Sequence, residues 1–149
     1  MRWKHCLVAL AIALLVPQPA WAQRGDWEVV PNVLLSFSAR HWQIDSAANQ
    51  LTHKRLRGCA LAQNAGRGIP EDWTMRAERI ARGTRRMVRT TYRDARGRVQ
   101  FAVYRYTYPR NLGYLNEEGM LLAPPDDLRF WLACRRAAEQ VLATARRVR

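Results

Sequence analysis

Read for its order of apolar and polar positions, the chain divides into an apolar leader, a middle of short alternating segments and an amphipathic carboxyl end. In the leader, Arg2 and Lys4 precede the apolar run Leu7–Val16, and Pro17, Pro19 and Ala20-Trp21-Ala22 follow. That charged, apolar, small-residue order predicts a cleavable signal peptide over residues 1–22, with a working domain from Gln23 to Arg149. The ten apolar residues are half of the ~20 that a membrane-crossing helix needs. Cys6 lies ahead of the run, so no cysteine follows it to carry a lipid.

Trp27-Glu28-Val29-Val30 predicts a strand ended by Pro31, which cannot donate to a central ladder. Over 33–45 two patterns compete: Leu35, Phe37 and Ala39 alternate as in a strand, while Leu34, Ser38, His41 and Trp42 would share a helical stripe. The strand is the preferred reading. Residues 46–64 stay open between the two, because Ser46 can cap a helix that Gly58 would interrupt. Asn64 to Gly68 is a loop. Pro70, Glu71 and Asp72 then supply a helix start and Gly83 a helix end, with Trp73, Ala77, Ile80 and Ala81 on one face, so a short amphipathic helix is expected over 70–83.

From Met87 the period becomes two, and Asp94-Ala95-Arg96-Gly97 separates two runs rich in β-branched and aromatic residues. This predicts a β-hairpin near 86–108. Met120-Leu121-Leu122 offers a third strand. Beyond Pro124-Pro125, the acids Asp126 and Asp127 cap a helix of about 126–147, whose stripe is Leu128, Trp131, Cys134, Ala138, Val141, Leu142 and Ala145. The expected fold class is therefore α+β, one domain in which a long carboxyl-terminal helix packs on a small antiparallel sheet.

Charge changes the picture of partners. Removing Arg2 and Lys4 from the 25 lysines and arginines leaves 23 against 12 acids, a net charge of +11, and Lys54 is the only lysine among them. An arginine excess suits bidentate contact with phosphate or carboxylate, although a coding bias would look the same. The cysteines bear on compartment: Cys59 and Cys134 are left as one pair, and an exported chain predicts a disulfide between them. A periplasmic or secreted location follows, with no transmembrane helix in the mature chain.

Candidate chemistry is sparse. His41 and His53 are too few for a metal cluster, and no phosphate loop or dinucleotide pattern is present, so no metal and no cofactor are expected. His41 and Asp45 stand four apart and could pair as imidazole and orienting carboxylate, but no flanked nucleophile accompanies them. The densest feature is the hairpin. Eight arginines fall between Arg85 and Arg110 against the single acid Asp94, and alternation sets Tyr104, Tyr106 and Tyr108 opposite Val99, Phe101 and Val103. Arg89, Arg93, Arg98 and Arg105 with Tyr104 and Tyr106 thus form a candidate binding face for nucleic acid, acidic polysaccharide or lipid headgroups at a membrane surface. The competing reading is an edge hairpin kept from self-association by its charges, with the tyrosines beneath the terminal helix. Three function classes follow: a non-enzymatic binding or envelope-associated protein, the preferred one; a small nuclease-like hydrolase using His41 or His53; and an accessory subunit of an envelope complex.

Overall fold

The computed structural model describes residues 23–108 and 118–148. The expected signal peptide and Arg110 lie outside the described residues. Ten strands and one helix make up most of what is described. A three-stranded antiparallel sheet is built from β1 (Arg24–Val30), β2 (Val33–Ser38) and the short β10 (Arg146–Arg147), in the order β1-β2-β10. A seven-stranded sheet holds β3 (Trp42–Asp45), β4 (Gln50–His53), β5 (Ala60–Gln63), β6 (Thr74–Arg82), β7 (Arg85–Arg93), β8 (Val99–Tyr108) and β9 (Met120–Ala123), in the order β3-β4-β5-β9-β8-β7-β6. Every pairing is antiparallel.

This architecture corrects the expected fold class. The protein is mostly β, and its helix is short: a 3₁₀ turn at Leu128–Phe130 leads into α1 (Trp131–Leu142). The helix stops at Ala143 because the chain turns there to pair with β2. The Thr144 hydroxyl accepts the Ser36 N–H at 2.7 Å, and Arg146 meets Asp26 at 3.1 Å. Local helix propensity loses at the last turn to a strand pairing, Arg146 opposite Leu34 and Arg147 opposite Val33, with a partner near the other end of the described chain.

The second correction concerns 70–83, where the expected helix is replaced by strand β6 after a loop through Pro70–Trp73. The pattern misled for a physical reason. Strand β6 is the edge of the large sheet and mostly exposed on both sides, so it lacks the alternation that a half-buried strand carries. Gly83 has φ +57°, a value that serves the tight β6–β7 turn as well as it would serve a helix end.

Elsewhere the local chemistry and the structure agree. The strand beginning near Trp27 ends at Pro31, and Asn32 takes φ 67° while its N–H bonds the Glu28 carboxylate at 2.8 Å. Residues 33–45 hold two strands, and the undecided stretch 46–64 holds two more. The hairpin β7–β8 turns on Asp94, whose carboxylate accepts the N–H groups of Arg96 and Arg98, each at 2.9 Å, while Gly97 takes φ 78°. The 120–122 run is β9.

The core gathers α1, one face of the large sheet and the inner side chains of β1 and β2, and in it Leu35, Leu51, Leu61, Met87, Tyr104, Met120, Leu122 and Leu142 are almost fully buried. Each such aliphatic side chain stabilises the fold by about 1.5–3 kcal/mol through removal from water. The Cys59 and Cys134 sulfurs meet in a disulfide, Cα atoms 5.9 Å apart, that ties the residue preceding β5 to the first turn of α1. Among the described residues no helix is long and apolar enough to cross a membrane.

Candidate functional site

The hairpin β7–β8 has two faces, and the cross-strand register decides what each can do. One face meets the helix. Glu78, Arg89 and Tyr104 stand opposite one another across β6, β7 and β8, as do Ile80, Met87 and Tyr106. Tyr104 and Tyr106 are buried, their hydroxyls donating to Glu139 Oε1 at 3.1 Å and to the Leu142 carbonyl at 2.5 Å. Burial pushes both phenols well above their ordinary range, and the Glu139 carboxylate pushes Tyr104 further. The tyrosine face read as a stacking surface is core, because α1 lies on it.

Arg89 is buried with them. Its guanidinium bonds Glu139 and, at 2.9 Å, Glu78, while Arg82 reaches Glu139 from the edge at 2.6 Å. The hydrogen bond from Arg89 holds the Glu78 carboxyl below its ordinary range. Glu139, fully buried, is the hub of this network, and the stripe of apolar positions that marks the helix in the sequence does not single it out. The signal was present: position 139 falls in phase with Arg135 and Leu142 beside the apolar stripe, toward strands rich in arginine.

The opposite face of the hairpin points away from α1. Met75, Tyr92 and Phe101 form one cross-strand row, and Arg79, Val88 and Arg105 another. At the first row Tyr92 stacks on Phe101 at 4.7 Å, and Trp73 from the loop packs on the same ring at 6.0 Å. At the other end Arg79, Ala81, Arg86, Val88 and Thr107, together with Ile80 and Met87, border a hollow of about 400 Å³. The small Ala81 side chain is part of its lining, and the Arg79 and Arg86 side chains, also in the lining, are exposed. Of the remaining candidates, Arg93 and Arg98 are exposed at the turn end, bonded to the Gly97 carbonyl at 3.0 Å and to Asp94 at 3.0 Å. Arg105 is half-buried on the outer face. The six candidates therefore do not form one surface: Arg89, Tyr104 and Tyr106 belong to the interior.

The histidines are brought together by a different hairpin. Pairing of β3 with β4 sets Trp42 opposite His53, and the His41 ring lies 6.1 Å from the His53 ring with planes 15° apart. The Trp42 indole meets the His53 ring edge-on at 4.9 Å. Asp45 does not join them; its carboxylate accepts the N–H groups of Ala47 and Ala48 and shapes the β3–β4 turn. His53 Nδ1 accepts the N–H groups of Arg55 and Leu56, at 3.2 and 3.1 Å. Partial burial lowers the His53 pKa, and the charges of His41 and Arg55 lower it further. Both rings border a cleft of about 600 Å³ between β2, β3, β4 and α1. Among the described residues no group of three or more His, Cys, Asp or Glu side chains could hold a metal ion. Compared with known proteins, the chain matches no family model, no curated sequence and no solved structure.

Proposed function

We propose that this is an exported, non-enzymatic binding protein that meets an anionic partner through arginines of its β6–β7–β8 hairpins, Arg79 and Arg86 on the side facing away from the helix and Arg93 and Arg98 at the β7–β8 turn. The observation that carries the reading is the division of the hairpin. Its helix side satisfies its own charges in the Arg89–Glu139–Glu78 network, while Arg79 and Arg86 stand exposed around an apolar hollow, with Arg93 and Arg98 exposed at the turn end. Guanidinium groups around an apolar floor suit phosphate, sulfate or carboxylate groups on a partner that also contributes apolar surface.

Binding of a sulfated polysaccharide and of a single-stranded oligonucleotide tests this. Affinity should fall steeply as salt rises. Replacing Arg79, Arg86, Arg93 and Arg98 with glutamine should cost much more affinity than replacing the equally exposed Arg40, Arg57, Arg136 and Arg147. Equal losses would mean diffuse attraction to a basic surface and would refute the reading.

The hydrolase reading has one observation in its favour, the approach of His41 to His53. Against it, His53 Nδ1 already accepts two backbone N–H groups, so the neutral ring carries its proton on Nε2 and has no free lone pair to act as a base. Incubation with RNA and DNA separates the two: cleavage lost in both His41→Ala and His53→Ala would support the hydrolase.

A further inference from the structure

A cleft of about 600 Å³ among the described residues is built from elements other than the outer face of the hairpins. Its walls are Phe37 and Trp42 from the strands and Val141 from α1, and Arg24, His41 and His53 stand at its polar positions. Among the described residues none that lines it is acidic. The nearby acid Asp26 is already engaged, by the Ser36 hydroxyl at 2.6 Å and by Arg146. The cleft therefore has an apolar body and an electropositive rim. Its volume matches sites that enclose small organic ligands.

His53 gives the cleft a directional group. With Nδ1 occupied as an acceptor, the ring is held as the Nε2–H tautomer, and Nε2 makes no hydrogen bond among the described residues. Such a ring offers a donor. It is poorly suited to a metal ion, since ligation through Nε2 would require a proton on Nδ1, where two N–H groups already point. Hydrogen-bond donation from His53 and the positive charge of Arg24 both call for an oxygen-bearing anionic head.

We propose that this cleft binds a small amphipathic anion, its apolar body against Phe37, Trp42 and Val141 and its single carboxylate or phosphate toward Arg24 and His53.

The test uses 2-naphthoate and its neutral isostere 2-naphthamide, titrated into the purified protein by calorimetry. The acid should bind at least tenfold more tightly than the amide. Arg24→Gln should weaken the acid about tenfold and leave the amide little changed, the expected loss of one charge-assisted contact. His53→Asn keeps an acceptor for the Arg55 and Leu56 N–H groups and removes the Nε2 donor, so it should weaken both compounds several-fold. Ala137→Trp, which fills the cleft from α1, should abolish binding with an unchanged far-UV spectrum. If that variant fails to fold, titration of the unaltered protein decides, because the acid should shift the NMR signals of the Trp42 indole and the His53 ring. Equal affinity for acid and amide, binding that survives Ala137→Trp, or shifts confined to other residues would overturn the proposal. The variant lacking Arg79, Arg86, Arg93 and Arg98 should retain full naphthoate binding, so failure here and failure of the anionic-partner reading are read separately.

Discussion

Removing the Glu139 carboxylate is the sharpest test of why the tyrosine and arginine face is core. Glu139 accepts from Arg89, Arg82 and Tyr104 while fully shielded from water. Glu139→Leu leaves the buried Arg89 guanidinium with Glu78 alone and the Tyr104 hydroxyl with no acceptor. Breaking a buried ion pair from one side costs about 3–5 kcal/mol, and an orphaned hydroxyl adds about 1–3. Part of the loss is recovered by swinging Arg82 into solvent, since its side chain is 46% exposed. We expect a net loss of about 4–5 kcal/mol. Arg89→Met should cost less, about 2–3 kcal/mol, because Glu139 keeps Arg82 and Tyr104 and because the Arg89 Nε, buried without a partner among the described residues, is removed as well. The double variant Arg89→Met, Glu139→Leu buries no charge, and its remaining defect is the tyrosine hydroxyl. Its loss should be about 2–3 kcal/mol, far below the sum of the singles, a coupling of several kcal/mol. Urea unfolding followed by tryptophan fluorescence, with the disulfide intact, reads all three. Additivity within about 0.5 kcal/mol would refute the network, and a stable Glu139→Leu would show that the tyrosine face does not depend on this carboxylate.

Four further outcomes are expected. Thiol titration of the unreduced, denatured protein should find neither Cys59 nor Cys134 free, and replacing both with serine should cost roughly 4 kcal/mol, the closure entropy of a loop with sequence separation 75. Gly119→Ala should destabilise strongly, with a fall in Tm of ten degrees or more, since its φ is +75° and an added Cβ would lie 2.4 Å from the Tyr104 carbonyl; an unchanged Tm counts against the β8–β9 approach. His53 should titrate by NMR below its ordinary 6.5. Because the unfolded chain then holds the proton more tightly, this group's contribution to stability is present above pH 6.5 and is lost as pH falls below it, and a His53 pKa above 6.5 would reverse the argument. Intact-mass analysis of the protein recovered outside the cytoplasm should place its amino terminus within a few residues of Gln23, and a product retaining Leu7–Val16 would contradict the signal reading.

What the sequence determined by itself is local. The β7–β8 hairpin was legible because Asp94 and Gly97 have turn chemistry that acts within five residues and because alternation on both sides sets a period of two. The Cys59–Cys134 pairing was legible by count, there being no other cysteine after the leader. The start of the terminal helix was legible from Asp127, which caps the 3₁₀ turn by accepting the Arg129 N–H.

What only the tertiary structure decided depends on neighbours distant in sequence. Strand β8 carries apolar or aromatic residues on both faces, so nothing in it says which face the helix covers; packing of α1 on the Tyr104 side turns a candidate binding face into core. The stretch from Thr74 to Arg82 became a strand because β7 supplies its hydrogen bonds, a partner that outweighs a weak helical stripe in an exposed segment. Helix α1 ends four residues before Arg146 because β2 offers that residue a ladder. His41 and His53, with Asp45 between them in sequence, converge through the β3–β4 register, while Asp45 is drawn into the turn. In each case the residue types allowed more than one outcome, and the free energy of a long-range contact selected among them.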